Sequence, residues 1–225
     1  MALAHGTSMA NDGLLLSLDG GNIKSYPGTG TVWKDLLSSD VVTLGSGVTY
    51  SGDNLGVLDY DGTSNGTGTI ATLPSRLNIT SNRLTMSAWF NFDSLPSSEM
   101  PFMGVTLKYQ LGLTNSTTIR NLIGTTGTSG WTAANDIAYT FILGNWYNMA
   151  ATYDGVNMRT YVNGAQVGIS SITGNIVSRT DALNVGHLPS FSRLNGKLGP
   201  LVIHNSTLTA EQVLGNYLAQ LPRFS

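Results

Sequence analysis

The segment LTMSAWFNF at 84–92 places Leu84, Met86, Ala88, Phe90 and Phe92 at every second position, with Thr85, Ser87, Trp89 and Asn91 between them. Successive side chains of an extended chain point to opposite faces, so this period commits the segment to a strand with one face on a core. Further runs of strand length lie at 14–18, 57–60, 102–107, 137–143, 146–153, 158–162, 182–187 and 198–204. Their number and spacing predict a β-sandwich. Asp154-Gly155 and Asn163-Gly164 separate alternating runs, and both dipeptides accept the left-handed backbone of tight turns, so two successive hairpins are expected there. Near the end, Thr209 and Gln212 make a capping box, with Leu208 and Val213 as its hydrophobic staple. One short helix should therefore follow the last strand.

A chain of 225 residues suits one large all-β domain. Only 11% of it is charged, less than half the usual ~25%, so Ser, Thr, Asn and the 27 glycines must cover the surface. Lys and Arg number 11 against 13 Asp and Glu. No basic footprint exists for a nucleic-acid backbone, and no such partner is expected. The lack of cysteine excludes disulfides, thiolate zinc sites and cysteine nucleophiles, and leaves the compartment open. No apolar run approaches the ~20 residues of a membrane helix, so membrane insertion is not expected. The opening MALAHGTSMANDG has neither the basic nor the apolar region of a signal peptide. Residues 1–12 read as an arm or a vector-derived remnant ahead of a domain at 13–225. The Asn-x-Ser/Thr triplets at Asn65, Asn78, Asn115 and Asn205 then read as coincidences of a Ser/Thr/Asn-rich chain.

The order LLLSLDGGN, SYPGTGTVWKDL, LDYDGT, LTMSAWFNF, WYNMAATYDGVNMRTYVNG and GKLGPLVIHNSTLTAEQVLGNY resembles the laminin-G-like, concanavalin A-like jelly-roll family over roughly residues 13–220. It is most similar to the stand-alone versions in phage and other viral structural proteins and in bacterial surface proteins. The resemblance implies an all-β fold, a two-sheet antiparallel jelly-roll sandwich with one short C-terminal helix. It also implies a calcium ion at a sheet rim, and carbohydrate or protein binding as the commonest roles.

The related glucanases use two carboxylates ~5–5.5 Å apart. Only two glutamates occur, Glu99 in the turn-like SSEMP and Glu211 in the first helical turn, where it complements the helix dipole. Asp59 and Asp61 alternate on one strand and share a face at about 6–7 Å, but Asp61 precedes a turn glycine. His5, His187 and His204 match neither a nucleophile elbow nor a metal-ligand spacing. For calcium, the oxygen-rich Asp19-Gly20-Gly21-Asn22 is a candidate, joined by Asp61 and Asn65 if the two segments are neighbours. Asp19 and Asn22 making only side chain to backbone turn bonds is the equal alternative. Trp89 lies on the face of its strand opposite the core side chains, which leaves it under a crossing segment or exposed as a ligand platform. Trp131, in the loop-like TSGWTAAND, is a candidate contact, and so is Trp33, which also reads as a loop anchor; Trp146 reads as packed.

The leading expectation is a non-enzymatic virion structural protein: a decoration, spike or fibre head at a virion or extracellular surface. Its lectin-like face would bind host or environmental glycans, with neighbouring virion subunits or further copies of itself as partners. A carbohydrate-binding module or adhesin domain of a secreted bacterial protein is the alternative, and a hydrolase using Asp59 and Asp61 is the third reading.

Overall fold

A computed structural model describes residues 9–127 and 132–225. In chain order the strands are β1 (Leu14–Leu18), β2 (Val32–Lys34), β3 (Val41–Leu44), β4 (Val48–Ser51), β5 (Val57–Asp61), β6 (Gly68–Ile70), β7 (Leu84–Phe92) and β8 (Met100–Val105). They continue with β9 (Tyr109–Asn115), β10 (Thr118–Ile123), β11 (Thr132–Ala138), β12 (Trp146–Tyr153), β13 (Asn157–Val162), β14 (Ala165–Ser171), β15 (Leu183–Val185) and β16 (Asn195–His204), followed by helix α1 (Ala210–Phe224). Sheet I runs β14-β13-β12-β7-β16-β5-β4, with β1 beside the second half of β16, and sheet II runs β11-β10-β9-β8-β15-β6-β3-β2. Every recorded pairing in them is antiparallel. The expected two-sheet sandwich with a C-terminal helix is the architecture found.

β7 sits at the centre of sheet I, Ala88 facing Met149 on one side and Leu201 on the other. Its even-numbered side chains enter the core, where Phe90 stacks on Phe102 of sheet II at 4.1 Å between centroids. Such pairs add to the area term of burial. The interior is not wholly apolar: Asn121 of β10 donates through Nδ2 to Thr160 Oγ1 of β13 at 2.8 Å, a bond from sheet to sheet. The two expected hairpins join β12, β13 and β14. Asn163 and Gly164 adopt φ of 50° and 77°, the left-handed pair a two-residue turn requires. At Asp154-Gly155, Asp154 Oδ1 accepts from Val156 N at 2.9 Å and Asn157 N at 2.6 Å.

One expectation is corrected. The run at 137–143 is strand only through Ala138; beyond it Phe141 drops among Phe90, Phe92 and Tyr147 while Ile142 and Leu143 face solvent, and Gly144 turns the chain at φ 78°. Residues 9–12, the described part of the segment read as an arm or remnant at 1–12, lie on the chain's own helix. Gln220 Nε2 donates to Met9 Sδ, Ala10 N to Asn216 Oδ1, and Gln212 Nε2 to Asp12 Oδ2. The three amides recur every four residues, so one stripe of α1 holds the strap.

Lys108 is fully buried at the turn between β8 and β9, with Nζ donating to Asn78 Oδ1, Ile79 O and Val177 O. Burial, aided by the charge of Arg179, pulls this amine down to about 8 from its ordinary 10.5. Above about pH 8 the unfolded chain therefore binds more protons than the folded one, and stability rises with pH until about 10. Beyond that the buried phenols of Tyr60 and Tyr109, whose pKa values burial raises from the ordinary 10.0, reverse the trend. Urea unfolding at pH 7.5, 8.5 and 9.5 is expected to show this rise in the wild type and a flatter profile in Lys108→Met. The variant should also lose about 1–3 kcal/mol, because the Ile79 and Val177 carbonyls lose their side-chain donor while Asn78 Oδ1 keeps Arg179 N.

Candidate functional site

Three loops meet at the end of the sandwich where β5 and β7 finish and β16 begins. β5 delivers Asp61 to this rim, and Gly62 at φ 71° passes beside Asn195, where a Cβ would lie 2.8 Å from the Asn195 Cβ. Beyond β7, Asp93 N donates to Asn195 O at 3.0 Å, and Asn195 Nδ2 donates to Ser94 Oγ at 2.8 Å. The third loop follows β15; Ser192 N donates to Glu99 O at 2.8 Å, and the hydroxyls of Ser98 and Ser192 lie 2.6 Å apart.

Between the loops lies a polar cleft of about 430 Å³, a size that suits a small ligand. Ser64, Ser94, Ser97, Ser192, Asn195, Asp61 and Arg193 line it, with Leu95, Pro96 and Phe191 as its apolar part. Donors, acceptors and an aromatic ring in one concavity match a sugar, which offers a hydroxyl edge and an apolar face. Behind the loop, burial holds the His187 imidazole below its ordinary pKa, with the charge of Arg193 acting the same way.

The expected calcium residues are not brought together. Gly20 packs on the backbone of Val57 at the start of β5, whereas Asp61 ends that strand. Four residues at ~3.3 Å each keep the two groups about 13 Å apart. Both Asp19 oxygens accept from Arg223 Nη1, at 2.8 and 2.9 Å, so a guanidinium stands where a cation would. Asn22 Oδ1 caps its own turn by accepting from Lys24 N at 3.0 Å. Asp61 Oδ1 accepts from Thr63 N and Thr63 Oγ1, each at 2.9 Å, and the Asn65 carbonyl accepts from Gly47 N. Among the described residues no three carboxylate or imidazole groups cluster as a metal site.

The expected contact tryptophans are also placed elsewhere. Trp33 lies wholly in the core. Trp89 is 1% exposed under α1, stacked on Phe224 at 4.3 Å and on Tyr217 at 5.5 Å, with Nε1 donating to Gln220 Oε1 at 2.5 Å. The crossing segment is therefore the helix, and neither ring offers a face to a ligand. Trp146 packs on Phe224 and donates to Asn54 Oδ1 at 3.0 Å. Trp131 lies outside the described residues.

Asp59 is half-buried opposite Lys197, and burial raises its carboxyl against that lysine's pull. A cluster that sequence reasoning missed lies on the outer face of sheet II. Arg120 Nε donates to Asp136 Oδ1 at 2.7 Å and Nη1 to Glu99 Oε2 at 3.2 Å, while Gln110 Nε2 donates to Glu99 Oε1. The Arg120 bonds hold the Asp136 carboxyl below its ordinary range. The cleft residues Phe191 and Arg193 were missed as well, since neither periodicity nor a motif marks a short loop.

A family model described as the concanavalin A-like lectin/glucanases superfamily matches residues 65–214. No curated protein matches the sequence. Among solved structures, domain 4 of the extracellular arabinanase AbnA from Geobacillus stearothermophilus, in complex with arabinotriose, is 16% identical at a TM-score of 0.68 and covers 92% of this chain and 98% of that one. The binding domain of botulinum neurotoxin DC, in complex with SialylT, is 12% identical at a TM-score of 0.71, over 93% of this chain and 52% of that one. A sialidase from Trypanosoma rangeli is 19% identical at a TM-score of 0.68 over 100% of this chain, which spans 36% of that protein. At these identities the likeness is one of fold.

Asp19→Ala is expected to lower stability by about 1–3 kcal/mol, since it strands the Arg223 fork. The loss should be equal in chelator and in millimolar calcium, and thermal melts in both check it. A calcium-dependent difference between variant and wild type would return a cation to this loop.

Proposed function

Because the chain belongs to the concanavalin A-like lectin/glucanase superfamily, we propose that it is a non-enzymatic, lectin-like module that binds glycans in the rim cleft. In this reading it works at a virion or extracellular surface, alongside neighbouring subunits or copies of itself. The observation that carries the reading is the cleft of about 430 Å³, lined by serine, asparagine, aspartate and arginine residues together with Phe191. The arabinotriose and SialylT complexes of the structural neighbours support the carbohydrate part of it.

The described carboxylates support a binding rather than a hydrolytic role. A glycosidase acid needs a raised pKa and a second carboxylate across the scissile bond. Asp59 has the raised pKa, but Asp61 is bonded into its own turn and Lys197 stands beside Asp59. Glu99 and Asp136 share one arginine.

A glycan array is expected to give selective binding. Phe191→Ala should weaken a hit by about tenfold, the scale of one ring contact. Asp59→Asn should leave it unchanged. Steady release of shorter sugars by the wild type, lost in Asp59→Asn, would replace the proposal with hydrolysis. Truncation through residue 8 keeps the strap at 9–12, so it can separate any assembly role of the N-terminus from folding.

A further inference from the structure

We infer that the rim cleft selects acidic sugars, with Arg193 receiving the carboxylate of a uronic or nonulosonic acid unit; this rests on the glycan-binding reading above. Arg193 lines the cleft, yet its side chain makes no hydrogen bond, and its Nη1 is buried without a partner. Arg76, Arg120, Arg159 and Arg223 hold carboxylates, whereas Arg193, like Arg83 and Arg179, holds none among the described residues, and of these three only Arg193 lines the cleft. Nη1 is closed off from solvent, so an acceptor entering the cleft would meet the Nε and Nη2 donors, which have no protein partner either.

The nearby carboxylates are already engaged or turned away. Asp61 is bonded to Thr63, and a Cβ on Gly47 would fall 2.5 Å from both of its oxygens, so the carboxylate faces that backbone. Asp93 lies 3.9 Å from Lys197 Nζ. His187, behind the loop, is held toward its neutral form by burial and does not compete as a cation. The guanidinium fork suits the planar, two-oxygen geometry of a carboxylate better than a hydroxyl. Phe191, two residues earlier in the same loop, lines the same cleft.

The test compares oligosaccharides ending in a hexuronic or a nonulosonic acid with their carboxyl-reduced counterparts, by calorimetry, on the wild type and on Arg193→Gln. The wild type should prefer one acidic series by about tenfold, equivalent to about 1.4 kcal/mol. Arg193→Gln should erase the preference while still binding the reduced sugars, with an unchanged melting temperature. Arg193→Lys should restore only part of it. Equal binding of acidic and reduced sugars by the wild type would overturn this inference and leave the glycan reading standing. Binding of no sugar in either form would overturn both.

Discussion

An indole on the outer side of a sandwich sheet needs a cover, and Trp89 imposes that need on this fold. Enclosing a ring of its size is worth roughly 4–6 kcal/mol from area alone. The cover is α1, which lays Phe224 and Tyr217 on the ring and binds its N–H through Gln220. Each end of the helix is fixed in turn: Thr209 and Gln212 cap the start, while Arg223 reaches Asp19 and the carbonyls of Asn54 and Gly56 near the finish. The strap at 9–12 closes over the amide stripe. The central strand of sheet I is thereby buried on both faces, one by the partner sheet and one by the helix.

This explains which parts of the fold were legible in the sequence. β7 shows alternation of apolar and polar side chains even though both of its faces are covered, and β1, β5, β8, β12, β13, β15 and β16 were legible as apolar runs of strand length. The capping box at Thr209 and the Asn163-Gly164 turn are local chemistry and could be read as such. Strands such as β2, β3 and β6 are three or four residues long, too short for a period to show. In β9 Gly112 interrupts the alternation where the backbone of Met100 and Pro101 presses close.

The site was less legible because its residues answer to no period. Asp61 was visible at a strand end, but its partners across the cleft come from loops about 30 and 130 residues away in sequence. Asp19 drew attention for its oxygen-rich surroundings, and only the fold shows that Arg223, 204 residues on, claims both oxygens. Trp33 and Trp89 drew attention as large aromatics in a polar chain, and packing accounts for both.

The loop that carries Phe191 and Arg193 is pinned by main-chain groups: Gly186 N to Phe102 O at 2.6 Å, Leu194 N to Gly186 O at 2.9 Å, and Ser192 N to Glu99 O. Gly186 is the fixed point, since at φ 75° a Cβ there would stand 2.4 Å from the ring of Tyr60. Backbone anchors do not ask which side chains lie between them. Positions 189–193 can therefore drift under selection while the sandwich stays intact, so one scaffold can give rise to descendants with different tastes in ligand.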